Sequence, residues 1–280
     1  MTEPPVVLPR SYLFVPGNRP ERFDKALAAG ADAVIVDLED AVPLQGKADA
    51  RAAVARWLNA TRAVVIRVNG PDTEWFADDV ALCATAGVAA VMVPKAERAE
   101  SLHHAARMAP GCAILPLIET AAGFDNARVL AACAGVQRLV FGSIDFQLDL
   151  GIQGDEDLLF YRSQLVLVSR LADRAAPVDG VTAAFDNDAA VSLDTERARR
   201  LGFGAKLCIH PRQVALVNRG LMPVDAEVAW ARRVVTAAAQ AHGAAVAVDG
   251  RMIDRPIVLR AQALLDEVDA RAAPKERSEP

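Results

Sequence analysis

The sequence is poor in aromatic residues, which make up 5% of its 280 positions, and it contains no long basic run. Few aromatic residues argue against an aromatic-rich β-sandwich, whereas abundant Ala, Val and Leu suit helices packed on a parallel sheet. The formal net charge is −5. An acidic chain without a basic patch is not expected to bind nucleic acid or a membrane surface. Local arginines and helix N-termini could still hold a polyanionic ligand.

Cysteines are few, and none is part of a CxxC pair. The four cysteines lie in apolar or alanine-rich stretches, which is typical of buried free thiols in a reducing compartment. The first nine residues contain prolines and polar side chains but no long apolar run. We therefore expect neither a signal peptide nor a membrane span, and we predict a cytoplasmic protein.

Short β-branched runs alternate with longer alanine-rich amphipathic stretches along most of the chain. Strand followed by helix, repeated about eight times, is the pattern of a (β/α)8 barrel. We predict an α/β fold of this type, a TIM barrel, in residues 1–222. Residues 223–280 are predicted to form a helical extension that packs as a lid on a neighbouring subunit. The predicted strands are Tyr12–Val15, Ala33–Asp37, Ala63–Val68, Ala90–Val93, Ala113–Ile118, Arg138–Phe141, Gly180–Ala183 and Ala205–Ile209.

Charged residues directly follow the apolar runs of several predicted units, at the end of the barrel where such folds carry their chemistry. Glu119 follows the fifth predicted strand and Asp145 follows the sixth. Because these strands are neighbours, the two carboxylates can share a cation. Mg²⁺ prefers oxygen ligands and typically takes one or two carboxylates, and the sequence has no zinc-binding motif. The alternative is that each carboxylate only caps the helix that follows it.

Arg67 lies near the end of the third predicted strand and has two interpretations. It could form an ion pair within the barrel, with Asp37 or Glu39 at the end of the second strand. It could also hold an anionic substrate or an enolate with its guanidinium fork.

Lys95 and His210 follow the fourth and eighth predicted strands. Lys95 is either a Schiff-base lysine or, as we favour, a salt-bridged lysine of the barrel. His210 precedes Pro211 at a tight corner between strand and helix. We favour a structural hydrogen bond for this histidine over a role as general base.

Several short segments stand out in chain order because each joins an apolar run to charged or glycine residues. They are RSYLFVPGNRPERFDKA (Arg10–Ala26), VDLEDAV (Val36–Val42), VIRVNG (Val65–Gly70), VPK (Val93–Lys95), IETAAGFDNA (Ile118–Ala127), FGSIDFQLDLG (Phe141–Gly151), KLCIHPRQV (Lys206–Val214) and GRMIDRP (Gly250–Pro256). In this order and spacing they resemble the citrate lyase β-subunit-like family, within the HpcH/HpaI aldolase superfamily. The resemblance extends from about Arg10 to Leu265.

The resemblance implies a (β/α)8 barrel that assembles as a homotrimer or hexamer and binds Mg²⁺ through Glu119 and Asp145. It implies that Arg67 contacts the substrate and acts in catalysis. In relatives the aspartate that matches Asp254 reaches the active site of a neighbouring subunit for acid–base chemistry. The remaining site residues are taken to be Glu39 for catalysis, and Asp37, Asp40 and Arg10 for substrate binding. Arg10, together with Arg19, is a candidate for contacts with the phosphates of coenzyme A.

The implied reaction is cleavage of a 3-hydroxyacyl-CoA thioester, such as citramalyl-, citryl- or malyl-CoA, to acetyl-CoA and a 2-keto acid. Three alternatives remain: a malyl-CoA-type thioesterase, a citrate lyase β subunit acting on an acyl-carrier-protein thioester, and an aldolase acting on free keto acids. The sequence departs from the usual motifs at Ala205, in the DFQLDLG segment and in the TAAFDNDAAV stretch. These departures leave the carboxylate pair intact and affect the substrate preference.

Overall fold

Eight parallel strands close into a barrel in which each strand pairs with the next in the sequence and β1 pairs with β8. The computed structural model describes residues 7–240 and 246–272. The predicted (β/α)8 fold is confirmed. The barrel strands are β1 (Ser11–Pro16), β2 (Ala33–Asp37), β3 (Val64–Arg67), β4 (Val88–Val93), β5 (Ala113–Ile118), β6 (Val140–Phe141), β7 (Val178–Asp179) and β8 (Ala205–Cys208).

Helices connect the strands and surround the barrel. They are α1 (Phe23–Leu27), α2 (Lys47–Trp57), α3 (Phe76–Leu82), α4 (Ala99–Met108), α5 (Ala121–Asp125), α6 (Ala127–Ala132), α7 (Ser143–Leu150), α8 (Leu159–Leu171), α9 (Asp188–Leu201) and α10 (Pro211–Gly220), with short 3-10 turns at Pro20–Arg22, Leu44–Gly46 and Asp155–Leu158. No helix in the described part of the chain is long and apolar enough to cross a membrane.

Alternate strand residues point into the barrel and form a core separate from the layer beneath the helices. Inward-facing side chains such as Tyr12, Ile35, Val65 and Met92 belong to this inner cluster. Their neighbours, such as Val34 and Ile66, pack under the helices in the larger cluster. A strand buried on both faces explains why the sequence shows nearly continuous apolar runs.

The seventh strand was predicted wrongly. The sequence placed it at Gly180–Ala183, whereas it lies at Val178–Asp179. Asp179, which the prediction left outside the strand, lies within it and is fully buried. Its carboxylate lies 2.8 Å from Nε of Arg162 and 3.5 Å from Nζ of Lys206. Burial alone would raise the pKa of Asp179, but these two cations lower it below its usual range.

All four cysteines are free, as predicted. Cys83, Cys133 and Cys208 are buried, and Cys112 is partly exposed. Burial raises the pKa of each thiol, to about 12 for Cys208. Because the thiolate is the reactive form, these side chains are poor nucleophiles and belong to the core.

The chain divides into two compact units between Leu221 and Met222, and residues 7 and 8 group with the C-terminal one. This division lies one residue before the predicted boundary, and parts of the predicted extension, residues 241–245 and 273–280, lie outside the described residues. The C-terminal unit contains α11 (Asp225–Gln240), the antiparallel strands β9 (Val246–Val248) and β10 (Arg251–Ile253), and α12 (Arg255–Ala272). Its small core includes Ala231, Val234, Val248, Ile253 and Ala261.

Candidate active site

A cavity of about 430 Å³ opens at the carboxyl ends of the barrel strands. Carboxylates, one arginine and several apolar side chains form its walls. The lining residues are Phe14, Pro16, Asp37, Asp40, Ala41, Arg67, Leu117, Glu119, Phe141, Gly142, Ser143, Ile144, Asp145, Val181, Leu207 and Ile209.

The two-residue period of the strands brings the polar groups to this cavity. Inward-facing residues alternate along a strand, so the position two beyond an inner apolar residue also faces inward. Asp37 follows Ile35 in this way, and Arg67 follows Val65. Glu119 continues the inward series of β5 just past its last residue.

Glu119 is a buried carboxylate, 2% exposed, at the floor of the cavity. Its Oε1 accepts a 2.8 Å hydrogen bond from the backbone N–H of Lys95. Lys95 adopts the left-handed conformation, with φ of 44°, which is unusual for a residue with a side chain. Burial, together with the neighbouring carboxylates of Glu39 and Asp145, raises the pKa of Glu119 to about 8.

Asp145 lies in the first turn of α7 and is exposed to the cavity. The first backbone N–H groups of a helix have no acceptor within the helix, and its N-terminus carries a partial positive charge. Gly142 and Ser143, at the start of α7, also line the cavity. The N–H of Gly142 itself donates to the carbonyl of Ile118, so the donors at this end of the cavity are the N–H groups of the first turn of α7.

The donors around Glu119 and Asp145 fit a hard divalent cation. Among the described residues, the cavity lining offers carboxylate oxygens and contains neither a cysteine nor a histidine. Within residues 7–240 and 246–272, no three His, Cys, Asp or Glu side chains are grouped so that they alone could hold a metal. Two carboxylates completed by water and substrate oxygens are the usual environment of Mg²⁺ rather than of a closed zinc site.

Arg67 is held by three carboxylates. Its Nε and Nη2 each donate a 2.7 Å hydrogen bond to Asp37, one to either oxygen of that carboxylate. Its Nη1 lies 3.1 Å from Oδ2 of Asp40 and 3.0 Å from Oε2 of Glu39. Burial would lower the pKa of Arg67, but these carboxylates raise it above its usual value. Of the two interpretations offered by the sequence, the ion pair within the barrel is present, and the same side chain also lines the cavity.

Glu39 lies behind Arg67 and faces a second, smaller cavity of about 230 Å³, which is also lined by Lys95. Nζ of Lys95 lies 2.9 Å from Oε1 of Glu39. The salt-bridged interpretation of Lys95 is thus the one that the structure shows. Burial raises the pKa of Glu39, although Arg67 and Lys95 partly oppose this shift. Glu39 is not among the described residues that line the main cavity, but it contacts Arg67 and raises the pKa of Glu119, which both line it.

Arg10 precedes β1, at the opposite end of the barrel from the cavity. Its side chain pairs with Asp32 at 3.0 Å and donates to the carbonyl of Asn218. This position does not fit the predicted contact with the substrate. A basic residue at the start of a strand lies at the amino end of the barrel, which the motif alone did not reveal.

Asp254 and His210 both cap helices. In the C-terminal unit, Oδ1 of the exposed Asp254 accepts a hydrogen bond from the N–H of Ile257, at the start of α12. In the barrel, Nδ1 of His210 accepts from the N–H of Arg212 at the start of α10. The structural role favoured for His210 is the one observed, and the ring of Phe185 stacks on it at 5.1 Å.

Sequence reasoning missed two features of the site. One is Gly142, whose missing side chain leaves room for Glu119. The other is an apolar wall of the cavity, which includes Leu117, Phe141, Val181, Leu207 and Ile209. The two-residue period could have identified Leu117 and Leu207 as inward-facing residues near the strand ends. Gly142 had no comparable signal, because its contact crosses from one strand to the next.

The fold and the cavity define this protein as a (β/α)8 barrel with an acidic site at the carboxyl ends of its strands, the place where barrel enzymes carry their catalytic residues. The sequence profile of the HpcH/HpaI aldolase/citrate lyase family matches residues 10–211. The chain belongs to this family.

Relatives and solved structures agree over nearly the whole chain. A citrate lyase subunit β-like protein of Deinococcus radiodurans is 39% identical over 95% of this chain and 99% of its own. A (3S)-malyl-CoA thioesterase of Cereibacter sphaeroides is 35% identical over 94% of this chain and 96% of its own. The crystal structure of CitE from Mycobacterium tuberculosis, in complex with magnesium, acetoacetate and coenzyme A, has a TM-score of 0.82 and 32% identity. It covers 93% of this chain and 98% of that chain.

Proposed function

We propose that the protein is a Mg²⁺-dependent carbon–carbon lyase that cleaves a 3-hydroxyacyl-CoA thioester to acetyl-CoA and a 2-keto acid. The observation that carries the proposal is the pair Glu119 and Asp145 in one cavity with Arg67. A relative with the same fold is bound to magnesium, a keto acid and coenzyme A. Acetoacetate is a 3-keto acid and the coenzyme A carries no acetyl group, so these ligands are not the two products themselves. They support a site of this kind that holds a metal, an oxo acid and a CoA group together.

Glu119 and Asp145 would hold the metal. When bound there, Mg²⁺ supplies Lewis acidity and a template for the hydroxyl and carboxylate oxygens of the substrate. The hydrogen bond from Lys95 holds Oε1 of Glu119 and so fixes the carboxylate at the floor of the cavity. The N–H groups at the start of α7 lie beside this pair, where they favour an anionic group of the substrate.

Arg67 would stabilise the charge that develops on the thioester oxygen. A base accepts the proton of the substrate hydroxyl, and the bond between the hydroxyl-bearing carbon and the α-carbon breaks. The electron pair moves into the thioester, which becomes an enolate, and a proton then adds to the α-carbon. The carboxylate of Asp37 aligns the guanidinium of Arg67 before the substrate arrives, so that little reorganisation is needed in the transition state.

We propose that Asp254 of a neighbouring copy exchanges the proton at the α-carbon, in a trimer or hexamer. Asp254 is an exposed carboxylate in a unit distinct from the barrel. A residue on such a unit can serve the active site of another copy, provided that the oligomer is closed by symmetry. Free, buried cysteines are also compatible with the reducing cytoplasm that we propose as its location.

Thioester hydrolysis is the second candidate, because a relative with 35% identity carries the name (3S)-malyl-CoA thioesterase. Hydrolysis yields a free hydroxy acid and coenzyme A, whereas cleavage of the carbon–carbon bond yields a keto acid and acetyl-CoA. Identification of the products therefore distinguishes the two reactions.

The test is incubation of the purified protein with citramalyl-, malyl- and citryl-CoA and Mg²⁺, with identification of the products by mass spectrometry. We expect a keto acid and acetyl-CoA in equal amounts. Free coenzyme A with an intact hydroxy acid would establish the thioesterase instead. Cleavage only after transfer of the acyl group to an acyl-carrier protein would indicate a citrate lyase β subunit, and no cleavage of either form would refute the proposed function.

A further inference from the structure

The cavity has a single cationic side chain. Among the described residues that line it, Asp37, Asp40, Glu119 and Asp145 are acidic, and Arg67 alone is basic. A bound divalent cation would offset part of this negative charge at one end of the cavity. A substrate carboxylate can therefore be accommodated at that end, beside the metal and the N-terminus of α7.

Arg67 is not free to serve as the partner of another carboxylate. The fork formed by its Nε and Nη2 is already occupied by Asp37, and Nη1 faces Asp40 and Glu39. A further carboxylate could be bound bidentately only by displacing Asp37, which is buried and would lose its partner. The second N–H of Nη2 remains available and can donate a hydrogen bond to the single oxygen of a thioester.

Apart from Ser143 at the start of α7, the side chains in the rest of the described lining are apolar. Leu117, Phe141 and Leu207 are buried, and Val181 and Ile209 complete the surface towards the opening. A carboxylate placed against this wall would lose hydration without gaining a hydrogen bond or a counter-ion, which is strongly unfavourable. A hydrogen atom or a short alkyl group at the same place carries no charge, so it would not incur this cost of desolvation.

We propose that the site selects a substrate whose hydroxyl-bearing carbon carries one carboxylate and an otherwise uncharged substituent, so that the keto acid released is a monocarboxylate. This inference rests on the proposed function and specifies its substrate class. Citramalyl- and malyl-CoA belong to this class, whereas citryl-CoA, with a second carboxylate in the same half, does not. Ile209 is a specificity-determining residue, because its side chain reaches the wall from the end of β8.

Ile209 offers a direct test, because it is 42% exposed and so tolerates a longer side chain. The Ile209→Lys variant places an ammonium group on the apolar wall, and Ile209→Met is the matched control of similar length without charge. For wild type we expect kcat/KM to be on the order of 100-fold higher for citramalyl- and malyl-CoA than for citryl-CoA. Ile209→Lys should raise kcat/KM for citryl-CoA at least about 10-fold, and Ile209→Met should not.

Keto acid binding supplies a second measurement that does not depend on turnover. With Mg²⁺ present, calorimetry should show wild type binding pyruvate at least about 10-fold more tightly than freshly prepared oxaloacetate. Ile209→Lys should lower the ratio of the affinity for pyruvate to the affinity for oxaloacetate, or reverse the preference. Equal or tighter binding of oxaloacetate by wild type, or no change of the ratio in Ile209→Lys, would overturn the selectivity. Absence of cleavage together with the expected keto acid preference would instead refute the lyase activity alone.

Discussion

The Cβ atom that Gly142 lacks would lie 2.5 Å from Cβ of Glu119 and 2.7 Å from its Oε2. No side chain fits at such a distance without displacing the carboxylate. The glycine ends the turn after β6 at a φ of −88°, which any residue can adopt. Glycine is therefore required here for space rather than for backbone conformation, and the space is the one that Glu119 occupies.

A methyl group at this position should displace the carboxylate of Glu119, which we propose as a metal ligand. We expect Gly142→Ala to lower the affinity for Mg²⁺ at least about 10-fold and to lower kcat in parallel, since metal and substrate share the site. Gly46→Ala is the control, because its Cβ would meet only ordinary contacts at 3.6 Å. Calorimetry of Mg²⁺ binding and circular dichroism of both variants would check this. Unchanged metal affinity in Gly142→Ala would mean that Glu119 is not a ligand.

Mg²⁺ binding should release a proton from Glu119. With the pKa of Glu119 raised to about 8, the metal-free carboxyl group is mainly protonated at pH 7. The metal needs the carboxylate, so its affinity should rise about 10-fold per pH unit below pH 8 and level off above it. Titrations in buffers with different ionisation enthalpies would count the protons released. An affinity independent of pH between 6 and 8 would contradict this expectation.

The stability of the metal-free protein should fall as the pH rises towards 8. The folded-state pKa of Glu119, about 8, lies above its ordinary value of 4.5. Between these values the folded protein binds more protons than the unfolded chain, so the stabilising contribution is complete at low pH and is lost as pH rises through 8. In Glu119→Gln this contribution is independent of pH. Thermal unfolding with a chelator should therefore show Tm of wild type falling relative to the variant between pH 5.5 and 8.5.

Arg67 should contribute to catalysis through its geometry and to stability through its charge. Arg67→Lys keeps the charge but loses the fork on Asp37, and we expect kcat to fall on the order of 100-fold with the fold intact. Arg67→Met leaves the buried carboxylate of Asp37 without its ion-pair partner and should cost about 3–5 kcal/mol of unfolding free energy. Arg10→Met, which removes an ion pair at the opposite end of the barrel, is the control. Arg10→Met should lower the stability but leave kcat/KM of the folded protein unchanged. A loss of kcat/KM in the folded variant would mean that Arg10 does take part in substrate binding.

Two inactive variants should restore each other's activity if Asp254 acts on a neighbouring copy. In a co-expressed equal mixture of Asp254→Asn and Glu119→Gln chains, about a quarter of the sites would combine an intact barrel with an intact Asp254 from the adjacent copy. Activity near that fraction of wild type is the expected result. An inactive mixture that still assembles would mean that Asp254 serves its own chain or has no part in the reaction.

The strands and the placement of Glu119 and Asp145 in one cavity were accessible from sequence because both follow from local patterns. The bounds of β2 and β5 were predicted correctly from their continuous apolar runs. Glu119 and Asp145 were located because charged residues at the ends of neighbouring strands must meet. The strand β7 was not predicted correctly, because the charge of Asp179 is compensated by Arg162, 17 residues earlier in the chain.

Three-dimensional contacts between distant segments account for what the sequence could not show. Whether Arg67 is free or held depends on Asp37, 30 residues away, and on the exact register of β2 and β3. The same is true of the contact between Gly142 and Glu119. The position of Arg10 was missed for a simpler reason: its motif resembles the family, but strand direction places it at the other end of the barrel.

Lys95 meets two requirements that rarely coincide in one residue. Its backbone must adopt the left-handed conformation to aim its N–H at Glu119, and its side chain must reach Glu39 with a positive charge. Glycine or asparagine would suit the backbone but not the ion pair, and β-branched residues would suit neither. Any single substitution at this position loses at least one of the two interactions. Few neutral substitutions are therefore available here during evolution.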